Sequence, residues 1–128
     1  MLKKIEAIIR EDKVNDVREA LKKIGIVGMN MIEIRGHGRQ GGIKLLGRAG
    51  SYQIDMLTKI QINIILSDNN LEDTIEAILN SASTGEPGDG IIFIYPVDEV
   101  IRIRTRESGQ EAVMYPNHID AIKKKEPA

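Results

Sequence analysis

Hydrophobic and polar positions change period in blocks along this chain. Ile5-Glu6-Ala7-Ile8-Ile9-Arg10 is short and apolar and predicts a strand. Asp12 is placed to cap a helix. Val14, Val17, Leu21 and Ile24 then recur every three or four residues, with Asp16, Arg18, Glu19, Lys22 and Lys23 between them. That spacing predicts an amphipathic helix stopped at Gly25. Met29 to Arg35 alternates and predicts a second strand. Residues 36–55 keep no clean period and hold six glycines, so they read as a long excursion and not as an element. A connection of that length in a compact domain is usually functional or disordered. Ile60 to Leu66 predicts a third strand, with Ile60, Ile62 and Ile64 on one buried face. Asn69 or Asn70 is placed to cap a second helix, whose stripe is Leu71, Ile75, Ile78, Leu79 and Ala82. A turn-rich stretch, Thr84 to Gly90, leads to a fourth strand, Ile91 to Tyr95, stopped by Pro96. Val100 to Arg104 reads as a short fifth strand at an edge. From about Glu107 the pattern fades, and 114–128 reads as a C-terminal extension open to disorder.

The predicted order is β-α-β-β-α-β with a small terminal strand. The two halves echo each other: Lys4-Ile5-Glu6 resembles Lys59-Ile60-Gln61, and both helices place Asp and Ala at one spacing. Two β-α-β units with right-handed crossovers give a ferredoxin-like α+β sandwich over 1–113. Its sheet is four-stranded and antiparallel, with both helices on one face. The other face is read as carrying a row of isoleucine that needs a cover. A chain of 128 residues leaves little except another subunit to cover it, so the fold predicts an oligomer.

Composition narrows the function classes. The absence of cysteine removes disulfides, thiolate metal sites and cysteine nucleophiles. Eighteen basic and 19 acidic side chains give a formal charge of −1, so no general attraction to nucleic acid or anionic membrane is expected. No apolar run is long enough to span a membrane. Glu6 falls where a signal peptide would be apolar, so a cytoplasmic location is expected. Twenty-two isoleucines against four aromatic residues suit a sheet better than a helical bundle.

Three stretches could carry chemistry. Between Glu33 and Asp55 there is no acidic residue, while Arg35, His37, Arg39, Lys44 and Arg48 are present. Such a glycine-rich, one-signed loop can offer backbone N–H groups and cations to an anion, or it can be a solvated loop. The run Thr84-Gly85-Glu86-Pro87-Gly88-Asp89-Gly90 lets a phosphate approach the main chain, or is an ordinary helix-to-strand connection. It lacks the Gly-Lys-Ser/Thr ending of a Walker A loop. Arg102, Arg104 and Arg106 would share one face of an extended strand, either under an anion or paired with Asp98, Glu99 or Glu107. Enzyme constellations are thin. His37 and His118 are far apart and show no metal-ligand spacing, and no serine sits in a nucleophile elbow. A small acyl-phosphate hydrolase on this fold is a rival, but Glu11 and Asp12 make Arg10 a poor phosphate cradle.

The chain resembles the PII signal-transduction proteins of nitrogen regulation over roughly residues 2 to 113. Lys3-Lys4-Ile5-Glu6-Ala7-Ile8-Ile9-Arg10, Gly36-His37-Gly38-Arg39-Gln40, Thr84-Gly85 with Gly88-Asp89-Gly90, and Val100-Ile101-Arg102-Ile103-Arg104-Thr105 carry the resemblance. It implies a homotrimer with ATP or ADP in clefts between subunits. One subunit would supply Gly36, Gly38, Arg39, Gln40, Thr84, Gly88, Asp89 and Gly90; its neighbour would supply Gly28, Met29 and Asn30 near the base and Arg102 and Arg104 on the phosphates. It further implies that 2-oxoglutarate joins a Mg²⁺ held by ATP phosphates and Gln40, with Lys59 on the distal carboxylate. Residues 37–55 would be the T-loop, which reports the ligand state to a target transporter or enzyme. The implied role is therefore non-enzymatic, with no nucleic-acid partner and no membrane insertion. Departures are also visible. Ile91 stands where the family usually has a phosphate-contacting lysine, Asn63 replaces a glutamate near the ribose, and Asn30 replaces a threonine beside the adenine. Tyr52 falls at the tyrosine that some members modify, in altered surroundings. The alternative is a PII-like trimer that takes a different small ligand, such as AMP or ADP only, and regulates a partner outside nitrogen metabolism.

Overall fold

The computed structural model describes residues 1–36, 43–47, 50–54, 57–114 and 118–125, with backbone alone for 36, 43–47, 50–54 and 124–125. The chain runs β1 (Leu2–Arg10), α1 (Val14–Lys23), β2 (Asn30–Gly36), β3 (Ile43–Gly47), β4 (Gly50–Ile54), β5 (Leu57–Ser67), α2 (Leu71–Ala82), β6 (Gly90–Val97) and α3 (Ile119–Lys125). One antiparallel sheet has the order β2-β5-β1-β6. This is the predicted α+β ferredoxin-like sandwich, with α1 and α2 packed on one face.

β1 is the keel of the sheet because both of its edges are paired, to β5 and to β6. Its alternation sorts side chains between two environments. Ile5, Ala7 and Ile9 enter the core with Ile62, Ile64 and Leu66 of β5, beneath Val17 and Leu21 of α1 and Ile78 of α2. The isoleucine row therefore lies under the helices and not on the open face, as the sequence reading had it. The open face is mixed. Glu6 accepts from Gln61 (2.6 Å) and Tyr95 (2.7 Å), and Gln61 and Asn63 continue as a ladder to Asn30. Ile32, Ile91 and Phe93 lie exposed around it.

The element ends follow local chemistry, with four corrections. Gly25 at φ +90° closes α1: its N–H bonds the Lys22 carbonyl (3.0 Å) and the Ile26 N–H bonds the Leu21 carbonyl (2.9 Å). These two bonds make the Schellman pattern that favours glycine. Asp12, however, lies in a 3-10 turn (Glu11–Lys13) and caps nothing. Asn70 holds the N-cap position of α2, but its buried side chain makes no capping bond; Ser67 caps the preceding 3-10 turn (Asp68–Asn70), its Oγ accepting from the Asn69 N–H. The excursion holds a hairpin, β3 paired to β4 from Ile43↔Ile54 to Gly47↔Gly50. The fifth strand is reduced to one bridge, Ile101↔Ser108, with Arg106 at φ +63°, so the three arginines do not line an extended face.

β6 runs through Pro96, which an edge strand tolerates because it needs no partner on its outer side. The described part of the tail is helical, and Ile119 belongs to the core.

Gly90 shows how tightly the sheet constrains the turn before β6. At φ +112°, a Cβ there would lie 1.8 Å from the Ile8 carbonyl oxygen. Gly90→Ala should therefore lower stability by about 2 kcal/mol or more. Urea unfolding reads this as a lower midpoint at unchanged slope; a wild-type midpoint would show that β1 and β6 are not held this closely.

Candidate functional site

The turn between α2 and β6 is built around one carboxylate. Asp89 accepts from the Thr84 N–H (2.8 Å), the Gly85 N–H (3.0 Å), the Thr84 hydroxyl and Arg10 Nε (2.9 Å). Arg10 Nη2 also donates to the Pro87 carbonyl (2.7 Å), and Lys59 Nζ donates to the Gly88 carbonyl (2.5 Å). Arg10 and Lys59 are register partners at the ends of β1 and β5, so sheet pairing sets both cations beside the turn. On sequence, the two acids that follow Arg10 make it a poor phosphate cradle. The structure turns those acids into the 3-10 segment and brings in Asp89 from 79 residues away. Only the β1–β6 pairing shows that contact.

The electrostatics follow from these partners. Hydrogen bonds from the Thr84 side chain, the Thr84 backbone and Arg10 hold Asp89 far below the ordinary carboxylate value of 3.8. Asp89 is thus committed to internal bonds as a staple of the turn. Lys59 is pushed below its ordinary value of 10.5, first by burial and then by the Arg10 charge, against the opposing pull of Asp89 and Asp12. Two cations that repel each other at the lip of a glycine turn favour an incoming anion, which lowers that repulsion. Gly88 at φ +97° adds a turn that carries no side chain toward the approaching group.

A cavity of about 590 Å³ lies at the other end of β1. Val27, Gly28, Met29 and Asn30 form one wall, and Val100, Arg102, Ala112 and Val113 form another. Lys4, Asn63 and Ile65 also line it. The lining pairs apolar surface with amides and two cations, which suits a flat ring carrying anionic groups. Arg102 is positioned by donation from its Nε to the Ala112 carbonyl (2.8 Å). Glu99, one expected arginine partner, instead accepts from the Val100 and Gly109 N–H groups (both 3.0 Å).

The structure thus collects Gly28, Met29, Asn30 and Arg102 at one place and Thr84, Gly88, Asp89, Gly90 and Lys59 at another. Lys4 and Ile9, which mark the two places on β1, are about 17 Å apart by strand rise. Arg104 is exposed and does not line the cavity. Ile91 is 53% exposed, beside Ile8, and brings no charge to the turn. Gly36, Lys44 and Tyr52 are described by backbone alone, and His37, Gly38, Arg39, Gln40 and Arg48 lie outside the described residues. Among the described residues no group of three or more His, Asp or Glu could hold a metal ion, and no helix is long and apolar enough to cross a membrane.

The Asp89 staple has a pH signature. Its folded-state pKa is depressed, so its contribution is present above pH 3.8 and is lost as pH falls through the folded value. An NMR titration should show the Asp89 carboxyl still ionised at pH 3.8, with protonation only at lower pH. Half-protonation at 3.8 would mean that the Thr84 and Arg10 bonds do not form in solution.

Comparison with known proteins places this geometry. The family model described as nitrogen regulatory protein P-II matches residues 2–107. A nitrogen regulatory protein P-II from Pasteurella multocida is 48% identical over 112 residues, covering 88% of this chain and all of the relative. One from Rhizobium meliloti gives the same identity and coverage. A protein named nitrogen regulatory protein P-II 2, from Methanothermobacter thermautotrophicus, is 49% identical over 112 residues, covering 88% of this chain and 97% of its own. With the sheet order, both helices and the glycine turn in place, this chain belongs to the nitrogen regulatory protein P-II family.

Proposed function

We propose that this chain is a non-enzymatic P-II signalling protein that senses adenine nucleotide and 2-oxoglutarate. Through the loop at 37–55 it would regulate a transporter or enzyme of nitrogen metabolism. The observation that supports this reading is the separation of two clusters of candidate residues. The glycine turn with Lys59 and Arg10 and the cavity with Gly28, Met29, Asn30 and Arg102 lie at opposite ends of one sheet. One chain therefore presents two halves, and a neighbour in a homotrimer would complete each site. The apolar wall would take the adenine ring, and Arg102 with Arg104 would take the phosphates alongside the Gly88–Gly90 backbone. The neighbours' Gly36, Gly38, Arg39 and Gln40 would close the site.

Lys59 is suited to the distal carboxylate of a 2-oxo acid. It stands on the rim beside Gly88, and Arg10 at its side makes an anion welcome there. Mg²⁺, a hard cation, would be carried by phosphate and 2-oxo acid oxygens, with Gln40 as its protein contact. When bound, that ion would link the two ligands, so each ligand raises the affinity of the other. Family membership with the same sheet and turn favours a soluble, cytoplasmic signalling role over hydrolysis. The second reading, a trimer limited to AMP or ADP, is favoured by Ile91, which supplies no cation for a third phosphate.

Calorimetry with ATP, ADP and 2-oxoglutarate, with and without Mg²⁺, tests both readings. Binding of 2-oxoglutarate should require ATP and Mg²⁺; no heat with any nucleotide at millimolar concentration would overturn the nucleotide claim. Heat with ADP and none with ATP would select the second reading. Lys59→Met should weaken 2-oxoglutarate about tenfold or more while ADP binding holds. Arg104→Ala should weaken nucleotide and leave the oligomer intact on size exclusion. Loss of the oligomer would make that arginine structural.

A further inference from the structure

The family match ends at residue 107, yet the chain continues into a helix that packs back on the domain. α3 touches the same segment that forms a wall of the cavity. The Ile119 N–H donates to the Gly25 carbonyl (2.7 Å), and Ile119 joins the core beside Leu21 and Ile26. The fit depends on residue 25 having no side chain. A Cβ there would lie 2.6 Å from Ile122 Cδ1, 2.8 Å from Ile119 N and 2.9 Å from Ile119 Cα. From Gly25 the chain passes through Ile26, buried at 1% exposure, straight into Val27, Gly28 and Met29 of the cavity wall.

The other side of α3 is tied to α2. Asn70, fully buried, donates to Asp120 Oδ1 (2.9 Å) and accepts from Lys123 Nζ (2.8 Å). Lys123 also pairs with Asp73 (3.0 Å), and His118 Nδ1 lies 3.1 Å from Asp120 Oδ2. A buried asparagine whose amide serves two partners on one short helix fixes where that helix sits. Just before the tail, the Ala112 carbonyl holds Arg102, and Ala112 and Val113 form part of the opposite wall. The segment after residue 107 thus touches both sides of the cavity.

We propose that α3 is a latch on this cavity: its docking on the Gly25 turn holds the 26–29 wall in place and so presets the site for its ligand. The ligand named here rests on the nucleotide reading above; the latch itself does not. Docking of α3 and occupancy of the cavity are then coupled and reciprocal, so whatever displaces α3 weakens the ligand, and the ligand secures α3. Ile119, through the Gly25 turn, and Asp120, through Asn70, act as positioning residues, and neither lines the cavity.

The test uses the full chain. Ile119→Pro removes the donor to Gly25 at the first position of α3, where proline suits a helix. Asp120→Ala removes the tie to Asn70 and so loosens α3 from its other side, while every atom of Ile119 that meets Gly25 is kept. Hydrogen exchange without ligand is read at the Gly25 and Ile26 amides, both bonded to α1 carbonyls, and at β1 and β5 amides as an internal reference. Each variant should speed exchange at Gly25 and Ile26 about tenfold while β1 and β5 stay protected. ADP affinity should fall about fivefold, whereas Ile119→Val should change neither. Unchanged exchange at Gly25 and Ile26 overturns the latch, as does faster exchange with full ADP affinity. If Ile119→Pro exposes β1 and β5 as well, Asp120→Ala decides. If the wild-type chain binds no nucleotide, the nucleotide reading falls and exchange alone decides the latch.

Discussion

The double pairing of β1 is the constraint on which the rest depends. A strand bonded on both edges cannot slip by one residue without moving every side chain to the other face. The register with β5 and β6 therefore decides that Ile5, Ala7 and Ile9 are core while Glu6 and Arg10 are not. It also decides that Arg10 and Lys59 stand together, and that Gly90 passes too close to Ile8 for any side chain. The glycine turn is a consequence of sheet register as much as of its own sequence.

The near-zero net charge conceals local order. Asp89 is saturated by donors from its own turn and from Arg10, and this leaves the carbonyls of Pro87 and Gly88 to the two cations. An acid in a glycine turn flanked by cations would repel an anion if its charge were free. Here it is already paired, and it shapes the backbone that an anion would meet. Glu6 plays a comparable part on the open face, where as an acceptor it orients Gln61 and, through it, Asn63 and Asn30 at the edge of the cavity.

Much of the fold was legible because the signals are local. Val14, Val17, Leu21 and Ile24 show a helix period, and Ile60, Ile62 and Ile64 a strand period. Gly25 marks a helix end for a stereochemical reason that needs no partner. Misread features depended on distant partners. Asn70 looks like a cap in sequence, but Asp120 and Lys123 claim its amide. Val100 to Arg104 looks like a strand, yet the Arg102 N–H bonds the Glu107 carbonyl and the segment closes into a turn. The glycine and arginine blocks were legible as candidate sites, while Arg10 was not, because its partners are 77 and 79 residues away.

By itself the sequence determined the element types, the antiparallel sandwich and the residues with the right chemistry for an anion, since periodicity and glycine stereochemistry act over a few residues. Only the tertiary structure decided which face buries the isoleucines, that Asp89 is a staple, that residues 119–125 form a helix on Gly25, and that the glycine turn and the cavity lie at opposite ends of one sheet. Those outcomes follow from strand register and from contacts between residues far apart in the chain, and no local pattern encodes them.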